Sequence, residues 1–117
     1  QYECIKKLAE QESCIIVGRC ADYALKDLPG LVSVFISADM DFKIKRVIEM
    51  YGCDEVKAKD IINKTNKKRA SYYNFYSNKK WADSRSYNLC INSSVVGIEN
   101  AADLIIQFMN LKLNKKD

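Results

Sequence analysis

The order of apolar and polar positions divides the chain into short strands and amphipathic helices. Tyr2, Ile5, Leu8 and Ala9 recur at helical spacing near the start, which predicts a helix there. Three later segments are short and almost continuously apolar, a pattern typical of strands that are covered on both faces of a parallel sheet. These segments are Cys14–Val17, Leu31–Ile36 and Leu89–Ile91.

Helical spacing fills the intervals between the predicted strands. Asp39 or Asp41 is in position to cap a helix that ends at Gly52. Asp54 is in position to cap a second helix over residues 55–73. That helix is unusually polar, so we expect much of it to project from the body of the protein.

A short helix over residues 21–26 and a last amphipathic helix after Ser94 complete the pattern. Because strands alternate with helices, the chain is predicted to be an α/β protein with a parallel sheet. Ligands bind such sheets outside the carboxyl ends of the strands. Arg19, the segment after Ile36 and residues 92–94 fall at that edge. Three strands make a thin sheet, so we expect part of it to be missing.

Composition narrows the choice of partners. The 117 residues carry a net charge of +4, which suits one domain that binds small phosphorylated ligands, whereas a duplex-DNA binder needs a strongly basic face. The five cysteines include no C-x-x-C pair and the chain has no histidine, so we expect no zinc site and a reducing, cytoplasmic compartment. No apolar run approaches the roughly 18 residues of a membrane span, so no membrane partner is expected.

The candidate chemistry is phosphate binding by cations. Arg19 follows an apolar segment, and Arg69 opens a segment rich in aromatic residues and lysine that ends at Trp81. A planar guanidinium group binds phosphate oxygens through paired hydrogen bonds. The sequence nevertheless contains no G-x-x-x-x-G-K-[ST] motif, so it lacks the loop that usually cradles nucleotide phosphates.

Four stretches, in matching order and spacing, resemble the cytidylate kinase-like family of P-loop nucleoside monophosphate kinases. They are Cys14-Ile-Ile-Val-Gly-Arg19, Val34-Phe-Ile-Ser-Ala-Asp39, Lys67-Lys-Arg-Ala-Ser-Tyr-Tyr73 and Tyr87-Asn-Leu-Cys-Ile-Asn-Ser-Ser94. The resemblance covers only the carboxyl-terminal portion of such a kinase. It implies a partial three-layer α/β/α P-loop kinase fold that lacks the N-terminal P-loop strand. Residues 1–117 would form part of one domain, with a lid over about residues 54–85.

The resemblance also implies a gap in the sheet. In the family, the first strand lies between the strands that Cys14–Val17 and Leu31–Ile36 would form. Backbone groups left dry and unpaired in that gap would each cost about 1–3 kcal/mol. We therefore expect the chain to be a fragment whose sheet is completed by an N-terminal segment or by a partner chain.

The activity implied for the complete protein is transfer of the γ-phosphoryl group from ATP, with its Mg²⁺, to CMP or dCMP. Because this chain lacks a phosphate loop, it is expected to be inactive alone. One alternative is a non-catalytic nucleotide-binding or regulatory relative. Another is a single-stranded RNA binder that uses the segment rich in tyrosine and lysine, although no nucleic acid is expected as the main partner.

The resemblance assigns roles to individual residues. Arg19 would hold the α-phosphate of the acceptor, and Asn66 lies near the acceptor base, where relatives commonly carry an acidic residue. Arg69 and Arg46 would be catalytic, because they would neutralise the transferring group. The positions expected to bind ATP are Lys43, Lys67, Lys68, Asn92, Ser93 and Ser94. No protein ligand is assigned to Mg²⁺.

Structural interpretations stand beside these roles. Arg19 could pair with Asp22, the cations of the two long helices could be solvated, and residues 92–94 could form a turn before a helix. The aromatic residues could stack on bases or pack the lid onto the body; they are Tyr72, Tyr73, Phe75, Tyr76 and Trp81. Asn78 and Ala82 stand where the family tends to show glycine, so the turn after the long helix is expected to be stiffer.

Overall fold

The computed structural model describes residues 2–115, which form six α-helices, two β-strands and one 3₁₀-helix. The helices are α1 (Tyr2–Gln11), α2 (Ala21–Ala24), α3 (Met40–Tyr51), α4 (Glu55–Ser77), α5 (Ser93–Val96) and α6 (Ile98–Leu113). The strands are β1 (Val34–Ser37) and β2 (Leu89–Asn92), and the 3₁₀-helix is Ser84–Ser86. None of the helices in this part of the chain is long and apolar enough to cross a membrane.

The two strands pair in parallel, with Val34 opposite Leu89 and Ser37 opposite Asn92. The connection between them contains α3 and α4, as expected for a parallel pair that needs a crossover. The predicted α/β class is therefore confirmed in its coarser form, as a partial α/β fold with a small parallel sheet.

The predicted strand at Cys14–Val17 was wrong. Residues 13–17 form no regular secondary structure, and their backbone has no hydrogen-bond partner within residues 2–115. Ile15 is 94% exposed and Val17 is 88% exposed, whereas Ile16 packs against buried residues of α1 and α2. An apolar segment becomes a strand only beside a second strand, and none lies next to this one in the described chain.

Seven of the buried residues form two separate clusters, each between a pair of helices. Ile5 of α1 packs with Ala21, Ala24 and Leu25 in and after α2, and we call this group the α1–α2 cluster. Ile44 of α3 packs with Ala58 and Ile62 of α4, and we call this group the α3–α4 cluster. The first half of α4 is therefore held by α3 rather than by the sheet.

The predicted helix ends are largely confirmed. The Asp54 carboxylate accepts a hydrogen bond from the Lys57 amide at 2.8 Å, which caps α4. Gly52 ends α3 with a left-handed backbone (φ 64°), a conformation that glycine adopts without a steric cost. The last predicted helix is divided, because Gly97 (φ 88°) separates α5 from α6. On α6 the buried alanine is Ala101.

Candidate functional site

The carboxyl ends of β1 and β2 meet in a hydrogen-bonded group of polar residues, which we call the carboxyl rim: Ser37, Asp39, Asn92, Ser93 and Ser94. Asn92 Nδ2 donates to Asp39 Oδ1 at 2.9 Å, and the Asp39 amide donates to Ser94 Oγ at 2.9 Å. Ser93 Oγ donates to the Ser37 carbonyl oxygen at 2.9 Å. The structure thus joins the segment after Ile36 to residues 92–94, two of the segments that the sequence places at this edge.

Asn92 organises the rim. Its amide group holds the carboxylate of Asp39, and hydrogen bonds from Asn92 and then Ser94 lower the pKa of that carboxyl below its ordinary value. Asp39 occupies the N-cap position of α3, but its side chain makes no capping hydrogen bond, so the predicted side-chain cap was wrong. Asn92 Oδ1 accepts from the Ser94 amide at 3.1 Å and caps α5. Residues 92–94 therefore form the end of β2 and the capped start of α5 rather than a turn before a helix, and their contact with ATP stays a prediction.

Arg19 lies in the turn before α2, with its side chain exposed. The predicted alternative, an ion pair with Asp22, was wrong. Asp22 instead accepts from the Tyr73 hydroxyl at 2.7 Å and from the Tyr23 amide at 2.9 Å. Within residues 2–115, Arg19 makes no ion pair or side-chain hydrogen bond. Its guanidinium is therefore available to an external anion.

The backbone around Arg19 is held in an unusual conformation. Gly18, Arg19 and Cys20 have φ values of 72°, 60° and 54°. For a residue with a side chain, the left-handed region costs about 1–2 kcal/mol. Cys20 is only 3% exposed, and its carbonyl oxygen accepts from two amides of α2, so burial and the helix start fix the turn. Such strained positions concentrate at binding and catalytic sites.

Residues 66–69 supply four predicted site residues on one turn of α4. Lys67, Lys68 and Arg69 are exposed and Asn66 is partly buried. None of the three cations makes an ion pair within the described chain, whereas Lys64, one turn earlier, pairs with Asp60 at 3.1 Å. This uncompensated charge suits an anionic ligand and equally suits a solvated face, so the predicted roles stay predictions.

Lys43 and Arg46 lie on α3. Arg46 is exposed, and its guanidinium carbon lies 6.0 Å from the centre of the Phe42 ring. Lys43 is partly buried. No hydrogen bond or ion pair among residues 2–115 joins Arg19, Arg46 or Arg69 to the carboxyl rim. The structure therefore assembles the rim itself and shows no hydrogen bond or ion pair between the rim and these three arginines.

The aromatic residues after Arg69 divide into packed and exposed groups. The Trp81 ring meets Phe35 of β1 edge-on at 5.2 Å, and Tyr73 stacks on Tyr87 at 5.8 Å, which confirms packing onto the body for these two. Burial and then the hydrogen bond to Asp22 raise the pKa of Tyr73 above its ordinary value. By contrast, Phe75 is 76% exposed.

The turn after α4 needs glycine-like backbone at two positions. Asn78 has φ 58° and Ala82 has φ 67°. Glycine would adopt either conformation without a steric cost. Asparagine tolerates the left-handed region, whereas alanine is strained in it.

Potential metal ligands are not clustered in the part of the chain that the structure describes. Within residues 2–115, no group of three cysteine, aspartate or glutamate side chains is close enough to hold a metal ion.

Comparison of the sequence with known proteins identifies its family. The profile of the Cytidylate kinase-like family matches residues 1–95, a range that contains the carboxyl rim and the predicted cations. The chain belongs to the cytidylate kinase-like family. As a member of this family it is a relative of nucleotide kinases, and α6 lies beyond the matched range.

A solved structure of another protein is similar to this cytidylate kinase-like chain. It is the crystal structure of an uncharacterized protein from Eubacterium ventriosum ATCC 27560, with a TM-score of 0.90 and 44% sequence identity. The match covers 93% of this chain but 62% of that chain, so the sequence spans less than two thirds of its structural relative. No curated protein matches the sequence.

Proposed function

We propose that this chain is the carboxyl-terminal part of a nucleoside monophosphate kinase, and that the complete protein transfers the γ-phosphoryl group of ATP to CMP or dCMP. The observation that carries the proposal is the carboxyl rim. It lies at the edge of a parallel sheet where nucleotides bind in α/β proteins, and it occurs in a cytidylate kinase-like chain.

The proposed division of labour follows the chemistry of phosphoryl transfer. Arg19 binds the acceptor phosphate through its unpaired guanidinium. Arg69 and Arg46 neutralise the negative charge that spreads over the transferring group, and Mg²⁺ bound with ATP would supply further positive charge there. Asn66 contacts the acceptor base.

The donor nucleotide is proposed to meet a second set of residues. Residues 92–94 border the adenine, and their hydrogen bonds within the rim keep that border rigid before ATP arrives. Lys43, Lys67 and Lys68 add positive charge towards ATP. Because none of these side chains moves a proton, their contribution is positioning and charge stabilisation.

The sheet of the active protein is proposed to contain a further strand between residues 14–17 and β1. Ile15, Val17 and Ile36 are all more than half exposed, although β-branched residues of this kind are normally covered. One edge of β1 has no strand partner within the described residues. A strand from an N-terminal segment or a partner chain would cover all three side chains and pair with that edge.

Two measurements test the proposal. In a coupled assay the 117-residue chain should not phosphorylate CMP, whereas the complete gene product should. Arg69→Ala in the complete protein should lower kcat by about 10²-fold or more. Lys64→Ala removes an equal charge from the same helix and should change kcat less than twofold. Turnover by the short chain, or equal losses in the two variants, would refute these roles.

A non-catalytic nucleotide-binding relative is the second candidate. It is favoured by Asn66, a partly buried amide where relatives commonly carry an acid. In that case the complete protein binds ATP in calorimetry but shows no turnover with any nucleoside monophosphate.

A further inference from the structure

The amino ends of the strands border a cavity that the proposed kinase chemistry does not use. The cavity has a volume of about 250 Å³, and its lining includes Ser33 before β1 and Asn88 before β2. Strands of four residues span roughly 13 Å, so this cavity lies on the opposite edge of the sheet from the carboxyl rim.

Positive charge dominates this amino-edge cavity. Its lining contains four cations, Lys26, Lys79, Arg85 and Lys112, and one carboxylate, Asp22. Arg85 is already neutralised, because it forms an ion pair with Asp83 at 2.8 Å. The three lysines form no ion pair within residues 2–115. Three lysines without ion pairs therefore meet at one depression, from segments that lie far apart in the sequence, and Asp22 opposes part of their charge.

The floor of the cavity is preorganised by backbone and side-chain hydrogen bonds. The Ser33 amide donates to Asn88 Oδ1 at 3.0 Å, and the Asn88 amide donates to Ser33 Oγ at 2.9 Å. Lys112 Nζ donates to the carbonyl oxygen of Leu31, and Lys26 Nζ lies 4.3 Å above the Tyr23 ring. These contacts orient the two ammonium groups without cancelling their charge.

Asp22 is the one opposing charge in the lining, and its oxygens are engaged by Tyr73 and by the Tyr23 amide. A neighbouring depression of about 390 Å³ shares Lys79 and Arg85 and adds Lys80 and Asp83, of which Asp83 is already paired with Arg85. The basic surface therefore continues beyond the first cavity on the side of Lys80.

We propose that the amino-edge cavity binds a compact polyphosphate anion such as pyrophosphate. Its volume is below the roughly 300–1,000 Å³ of pockets that hold drug-sized organic ligands. The three ammonium groups outnumber the single opposing carboxylate of Asp22, which suits a compact anion with several negative charges. Its lining provides few aromatic faces for stacked bases, which argues against single-stranded RNA.

Titration of the 117-residue chain with sodium pyrophosphate by calorimetry and NMR tests the proposal. We expect saturable binding, with the amides of Ser33 and Asn88 shifting while that of Ser94 at the carboxyl rim does not. The variant Lys26→Gln/Lys79→Gln should weaken binding about tenfold or more, equivalent to about 1.4 kcal/mol. Neither substitution removes a side-chain hydrogen bond or ion pair of the described residues, and Lys26→Gln loses only the contact of Lys26 with the Tyr23 ring, so the fold is expected to persist.

The matched control is Lys45→Gln/Lys64→Gln, which removes the same charge from exposed positions of α3 and α4. It should change pyrophosphate affinity less than twofold. Equal weakening by the two double variants would show a general charge effect and overturn the proposal. So would absence of saturable binding, shifts confined to Ser94, or displacement of pyrophosphate by single-stranded RNA at lower concentration. These outcomes are independent of whether the complete protein phosphorylates CMP.

Discussion

Replacing Tyr73 by phenylalanine should lower the free energy of unfolding, because it removes a hydrogen bond that attaches the second half of α4 to the body of the protein. The Tyr73 hydroxyl donates to Asp22 Oδ2 at 2.7 Å, across 51 positions of sequence, and the residue is only 7% exposed. The bond links α4 to α2 and thereby to the α1–α2 cluster. The substitution keeps the ring and its stacking on Tyr87, so it removes the hydrogen bond without opening a cavity.

The expected loss follows from the kind of hydrogen bond. Bonds to a charged group contribute about 1.5–3 kcal/mol to stability. Asp22 keeps its bond from the Tyr23 amide in the variant, so the lower half of that range applies, about 1.5–2 kcal/mol. Tyr51→Phe is the matched control, because Tyr51 is 64% exposed and its hydroxyl has no hydrogen-bond partner in the described residues.

Urea denaturation of wild type and both variants measures the effect, and its pH dependence tests the cause. The pKa of Tyr73 is raised in the folded state, so its stabilising contribution is complete below the unfolded pKa of about 10. Above that pH the unfolded chain loses its proton first, and the difference between wild type and Tyr73→Phe should shrink by up to about 1.4 kcal/mol per pH unit. Equal stabilities of the two variants at pH 7, or a difference that grows above pH 10, would refute the reasoning.

Three further changes test other features. Asn92→Ala should raise the pKa of Asp39 towards its ordinary value in an NMR titration. Loss of the α5 cap should also cost about 1 kcal/mol in urea denaturation. An unchanged Asp39 titration would contradict the hydrogen bond between Asn92 and Asp39. Ala82→Gly should stabilise the protein by roughly 0.5 kcal/mol in the same assay, because relief of left-handed backbone strain exceeds the entropy cost of glycine. The control Ala70→Gly, within α4, should destabilise the protein. Cys20 is buried and has a raised pKa, chiefly from burial, so a thiol reagent should label it far more slowly than the exposed cysteines; equal rates would show that the turn opens freely.

The helix ends were predicted well from the sequence because the interactions that fix them lie within a few residues. The Asp54 cap and the Gly52 terminus depend on neighbours three or four positions away, and both are confirmed. α4 extends to Ser77, beyond the predicted end, because tertiary contacts of Tyr73 with Asp22 and Tyr87 hold its last turns.

Features set by distant partners could not be predicted in the same way. The apolar pattern of residues 14–17 has no strand beside it in the described chain, so it forms none. Asp39 has the residue type of a cap, but Asn92, 53 positions later, takes its carboxylate. The amino-edge cavity was missed for the same reason, since Lys26, Lys79 and Lys112 share no motif and meet only after folding.

Because the two apolar clusters are separate, each helix pair is expected to open locally without the other. Each cluster contains only three or four buried side chains, and each lies within its own helix pair. Amide protons of α3 should therefore exchange with solvent through an opening event that leaves those of α1 protected. Lys43, Arg46 and Asn66 all lie on α3 or α4, so this opening event would displace all three residues together.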